Sequence, residues 1–111
     1  MSVEEQKIFY EKEIEIIKKR IVENYTPERI VLFGSFARGD INEDSDVDVL
    51  VIKDTNESPR ERIRNVRKKI PHNIPIDVIV YTPEEVNQNI DDVNSFISCI
   101  LNEGKLLYER L

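Results

Sequence analysis

Two aspartates one residue apart, Asp46 and Asp48, lie ten residues beyond a Gly34-Ser35 pair in the stretch GSFARGDINEDSDVDVLVI, which runs from Gly34 to Ile52. The aspartates open an apolar run of Val47, Val49, Leu50, Val51 and Ile52. Side chains alternate along a strand, so both carboxylates face one side while Val47 faces the other. Two like charges about 4 Å apart repel by about 4 kcal/mol at an effective dielectric near 20. A hard divalent cation reverses that sign. An all-oxygen donor set of this kind suits Mg²⁺ or Mn²⁺, and Mg²⁺ is commonly completed by substrate phosphates and water.

The Gly-Ser pair follows a second apolar run, Ile30-Val31-Leu32-Phe33, and so stands where a strand ends and a turn or short helix begins. Glycine lets the backbone approach a ligand closely, and first-turn amides together with a serine hydroxyl favour phosphate oxygens. Arg38, close to one turn beyond Ser35, is placed either to reach a triphosphate or a partner, or to pair with Asp40 or Glu43. A third carboxylate, Asp77, interrupts the β-branched segment Ile74-Pro75-Ile76-Asp77-Val78-Ile79-Val80-Tyr81. A charge inside such a strand is costly unless it is paired or coordinated. On a strand beside Asp46 and Asp48 it could bridge to a metal and take a proton from an attacking hydroxyl. That is the layout of two-metal phosphoryl or nucleotidyl transfer.

The order Gly34-Ser35, Asp46-Val47-Asp48 and a later Ile76-Asp77-Val78 resembles the nucleotidyltransferase superfamily of DNA polymerase β. More narrowly, LFGSFARGD followed by SDVDVLV is similar to the minimal nucleotidyltransferases, small prokaryotic proteins often encoded beside a helical HEPN partner, and the likeness covers essentially the whole chain. The resemblance implies that Gly34 and Ser35 hold nucleotide phosphates. It implies that Asp46 and Asp48 bind two Mg²⁺ ions, or Mn²⁺ in their place, and that Asp77 binds the catalytic ion and activates the acceptor. The implied reaction moves AMP from ATP to a hydroxyl, with a tyrosine of a HEPN-domain toxin as acceptor and the chain acting as antitoxin. Two alternatives stay open: an antitoxin that neutralises its partner by contact alone, and transfer to a small molecule such as an aminoglycoside, which usually needs a further substrate domain.

Simpler explanations exist for each feature alone. Gly34-Ser35 can be an ordinary strand-to-helix turn, and Asp77 a structural ion pair with an arginine. Asp40, Asn42 and Asp44 look like the start of a calcium loop, but Ser45 stands where its glycine belongs and Val51 where its last glutamate belongs. Cys99, the only cysteine, excludes an intrachain disulfide and reads as a small buried hydrophobe. His72, the only histidine, reads as exposed.

The elements that must position these groups are legible from changes of period over 111 residues, read as one domain from 1 to 111. Residues 3–24 form an amphipathic helix with Ile14, Ile17, Ile21 and Tyr10 on its buried stripe. Strands are expected at 30–33, 47–52, around Asp77 and at 106–108, with a short helix at 35–38 ended by Gly39. Ser58 as N-cap, Pro59 at the first position and Glu61 announce a basic helix over 59–69. Its cations read either as a solvated face or as a docking surface for an acidic partner or RNA. Thr82-Pro83-Glu84-Glu85 is a capping box, and a last helix runs from near Asp92 to Asn102 before Gly104. The fold class is therefore α/β, a small mixed sheet flanked by helices, in keeping with the polymerase β-like nucleotidyltransferase fold. The net charge of −6 argues against broad nucleic-acid binding. With no apolar run of membrane-spanning length and a highly charged start, the chain is expected in the cytoplasm. Self-association is compatible with the sequence, which fixes no stoichiometry.

Overall fold

The computed structural model describes residues 2–39, 46–92 and 94–111. Ser2 caps the first helix, α1 (Val3–Tyr25), by accepting from the Glu5 N–H. Strand β1 (Arg29–Phe33) runs into the one-turn helix α2 (Gly34–Ala37), and β2 (Val47–Ile52) begins directly after Asp46. Helix α3 (Pro59–Arg67) then leads to β3 (Ile76–Tyr81), α4 (Pro83–Asn89), α5 (Phe96–Glu103) and the edge strand β4 (Lys105–Glu109). The sheet order is β3-β2-β1-β4, with β1 antiparallel to both neighbours and β2 parallel to β3. This is the expected mixed α/β architecture.

Alternation along each strand divides the core in two. Ile30, Leu32, Val47, Val49, Val51, Ile76, Val78 and Val80 face α1 and α3. Val31, Leu50 and Ile52 face the other way, onto Val86 of α4 and Ile97 and Ile100 of α5. The expected stripe of α1 is buried at Tyr10, Ile14, Ile17 and Ile21. Tyr10 also stacks on Phe36 with ring centroids 5.5 Å apart, which ties the one-turn helix α2 to α1.

Local chemistry explains where boundaries fall. The Thr82 capping box is complete, with the Glu85 N–H bonded to the Thr82 hydroxyl and the Thr82 N–H to the Glu85 carboxylate. Ser58 likewise accepts from the Glu61 N–H. The last helix starts at Phe96, later than expected from the sequence, because Ser95 is its N-cap and accepts from the Ser98 N–H, while Asp92 accepts from the Asn94 N–H in a turn. Strand β3 starts at Ile76, since Pro75 has no N–H to give to the sheet.

Two expectations are corrected. Cys99 is exposed, because Ile97, Ser98 and Ile100 occupy the buried side of α5. The basic helix is not simply a solvated face. Arg62 is buried and pairs with Glu85 at 2.7 Å, donating also to the Glu57 carbonyl at 2.8 Å. Arg67 donates to the Ile76 carbonyl at 3.1 Å and Lys69 to the Asn24 carbonyl at 2.9 Å. Arg60, Arg64 and Lys68 remain on the outside.

Candidate active site

Strand register gathers the chemistry. Phe33 of β1 is the cross-strand partner of Asp48 on β2, and Asp48 is the partner of Asp77 on β3. Three adjacent strands thus carry Phe33, Asp48 and Asp77 in one row. The row lies on the sheet face that packs α4 and α5, one step beyond the apolar row of Val31, Leu50 and Ile79. Asp46, two residues before Asp48, precedes the strand and is exposed.

Gly34 presses on this row from the end of β1. Its φ is +82°, a region that side chains resist, and a Cβ placed on it would overlap the Asp48 carboxylate. Glycine here therefore lets the α2 turn close directly over Asp48. Ser35 follows in the same turn, half-buried, and no side chain caps the first amides at the Phe33 N-cap position. A single turn has little macrodipole, so any grip on an anion must come from individual N–H groups and the Ser35 hydroxyl.

Electrostatics mark the same point. Burial first, and then the negative charges of Asp77 and Asp46, push the Asp48 carboxyl above its usual range, while the Arg38 guanidinium pulls it down. Arg38 is exposed, and its backbone N–H reaches the Gly34 and Ser35 carbonyls at 3.3 and 3.2 Å. Its expected partners Asp40 and Glu43 lie outside the described residues, as does the calcium-like segment.

Asp77 requires a correction of reasoning. Its side chain is exposed at the sheet end, so the burial cost that singled it out in the sequence is largely avoided. What distinguishes it is its register with Asp48. Among the described residues, no three carboxylate, histidine or cysteine side chains stand close enough to hold an ion as they lie. The donor set nevertheless fits a hard divalent cation: oxygen ligands alone, with like charges that raise the affinity of Asp48 for a positive charge, and with Asp46 exposed.

Beyond Asp77 the surface opens into a depression of about 510 Å³ lined by Asp46, Arg67, His72, Asn73, Pro75 and Asp77. His72 is exposed, as expected, and its Nε2 lies 2.8 Å from the Arg67 carbonyl. A second depression, of about 350 Å³ near Lys7, Leu32 and Phe36, lies on the opposite sheet face and away from the carboxylates. Sequence reasoning missed Arg67, Phe33 and Phe96 as neighbours of the site. Phe33 carried a usable signal in its place one residue before Gly34; the other two depend on packing between distant elements.

Two aspartates aligned under a glycine corner are an arrangement that phosphoryl and nucleotidyl transfer can use. The chain belongs to the nucleotidyltransferase domain family, whose model matches residues 14–99. It is 35% identical over 83 residues to a protein of Methanocaldococcus jannaschii named "Putative protein adenylyltransferase MJ0604", covering 73% of this chain and 78% of that one. A second protein of that organism, "Putative protein adenylyltransferase MJ0141", is 34% identical over 73 residues, covering 62% and 74% of the two chains. The crystal structure of a nucleotidyltransferase from Sulfolobus solfataricus, titled as putative, shares the fold with a TM-score of 0.60, at 24% identity over 91% of this chain and 86% of that chain. Family membership makes the chain an enzyme of nucleotidyl transfer, with a nucleoside triphosphate as substrate and divalent-metal chemistry as the family's general mode.

Proposed function

We propose that the chain works as a single domain in the cytoplasm and transfers AMP from ATP to a hydroxyl of a protein acceptor, a tyrosine of a HEPN-domain toxin, and thereby acts as its antitoxin. The observation that carries the chemistry is the register of Asp48 with Asp77 under Gly34. The names of the relatives point to ATP and to a protein acceptor. The HEPN partner is drawn from the resemblance to the minimal nucleotidyltransferases.

In this reading the β- and γ-phosphates lie against the Gly34-Ser35 turn, with Arg38 beside them. Bound at Asp46, Asp48 and Asp77, two Mg²⁺ ions, or Mn²⁺ in their place, would neutralise the carboxylates and stabilise the attacking and leaving oxygens of an in-line displacement. Asp77, open to solvent at the mouth of the depression, accepts the proton of the acceptor hydroxyl. The new bond joins the acceptor oxygen to the α-phosphorus, and the bond from that phosphorus to the β-bridging oxygen breaks to release pyrophosphate. Gly34 leaves room for the Asp48 carboxylate against the turn, and Phe36, stacked on Tyr10, anchors that turn to α1.

Co-production with the genomically adjacent HEPN protein tests the proposal. The partner's mass should rise by one or more adenylyl units with the wild-type chain and stay unchanged with Asp48→Asn. Neutralisation of the partner without any mass change would instead select the contact-only antitoxin, and labelling of an aminoglycoside with no protein acceptor would select the small-molecule reading.

A further inference from the structure

The row that ends in Asp77 on one side ends in Phe33 on the other, and Phe33 has an unusual neighbour. Phe96, the first residue of α5, meets it edge to face with ring centroids 6.0 Å apart, yet Phe96 remains 57% exposed. Leaving most of a phenylalanine in water forfeits the gain that burial would bring. The segment that carries it is also anchored. The Ser95 hydroxyl donates to the Asn89 carbonyl at 3.0 Å, and the Ser98 hydroxyl lies 3.2 Å from the Asn89 and Ile90 carbonyls, so the segment entering α5 is tied to the end of α4. An exposed aromatic ring on an anchored segment beside the carboxylate row is suited to stacking on a flat ligand.

We infer that Phe96, backed by Phe33, is the platform on which the base of the nucleoside triphosphate stacks. The placement selects the base over the acceptor. The aromatic pair lies on β1 and the start of α5, across β2 from Asp77, which takes the acceptor's proton in the proposed mechanism. Base and α-phosphate of a nucleotide are joined through one ribose, which matches a ring packed on the cross-strand neighbour of Asp48. Directly opposite residues of an antiparallel pair stand about 5 Å apart at Cβ, so the Phe33 ring borders the carboxylate row itself. Stacking reads the ring face and not the hydrogen-bonding edge, so this platform adds affinity without fixing which base is used.

The inference rests on the nucleotidyl-transfer reading, and calorimetry separates the two. ATP and inorganic tripolyphosphate are titrated, each with Mg²⁺, into the wild-type chain, Phe96→Ala and Phe96→Trp. Exposure of Phe96 makes either variant compatible with folding, which thermal unfolding checks. Phe96→Ala should weaken ATP binding by about tenfold or more, leave tripolyphosphate binding unchanged, and be rescued by Phe96→Trp. Equal ATP affinity in the wild type and Phe96→Ala would overturn the platform while leaving nucleotidyl transfer intact. The same holds if the acceptor's KM rises and ATP affinity does not, which would assign the ring to the acceptor. A wild-type chain that binds neither probe would overturn both readings.

Discussion

Gly34 packs closely over Asp48, and that approach depends on Gly34 having no side chain: its φ of +82° strains any other residue, and a Cβ there would overlap the Asp48 carboxylate. The proposed phosphate corner and the proposed metal-binding strand are thereby one unit. Substitution of Gly34 by alanine must displace Asp48 or open α2. We expect Gly34→Ala to lose about 1–3 kcal/mol of stability from backbone strain and, through displacement of Asp48, about 10²-fold in transfer rate. Chemical denaturation and a transfer assay read the two effects.

Asp77 has the opposite character, since exposure frees it from any packing role. Asp77→Asn should change stability by no more than about 0.5 kcal/mol, as for most surface substitutions. If Asp77 is the proton acceptor proposed above, its loss should lower transfer by about 10²- to 10⁴-fold. Retention of activity would remove Asp77 from the mechanism.

The Arg62–Glu85 pair joins α3 to the cap of α4 and supplies a pH-dependent element of stability. Burial alone would raise the Glu85 carboxyl, but hydrogen bonds from the Thr82 N–H and Arg62, and the Arg62 charge, outweigh it and leave the group below its ordinary value. A depressed carboxylate stabilises the fold above its unfolded-state pKa, and that stability is lost as pH falls through the folded-state value. Glu85→Gln should therefore destabilise near neutral pH by about 1–3 kcal/mol, less than the ~3–5 kcal/mol of a fully buried pair because Glu85 is a third open to water. The gap to the wild type should close in acid, as unfolding curves collected across pH would reveal.

Leu50 lies wholly buried two residues beyond Asp48, between the sheet and the α4/α5 layer. Leu50→Ala should cost about 2–5 kcal/mol. If the core beneath the row sets the position of Asp48, transfer should fall at temperatures where the variant is still folded, measured by activity beside circular dichroism.

Much of this arrangement could be read from the chain itself. Alternating apolar residues placed β2 at 47–52, and the Thr82-Pro83-Glu84-Glu85 pattern placed the start of α4, because both signals are local. Gly34, Ser35, Asp46, Asp48 and Asp77 were likewise visible by type and spacing. Their arrangement as a row was not, since the pairing of Asp48 with both Phe33 and Asp77 depends on the order of strands far apart in sequence. Cys99 and Arg62 were misread for a related reason. Which side of a short helix is buried depends on partners such as Glu85 and the α5 core residues, and composition does not reveal them.

The central claim is that Asp48 and Asp77, closed over by Gly34, direct attack at the α-phosphorus of ATP. The most direct measurement compares ATP labelled at the α-phosphorus with ATP labelled at the γ-phosphorus, each incubated with the chain, Mg²⁺ and its protein partner. The α-label should move to the partner and the γ-label should leave in pyrophosphate, both abolished by Asp48→Asn. Transfer of the γ-label, or α-labelling that persists in Asp48→Asn, would contradict it.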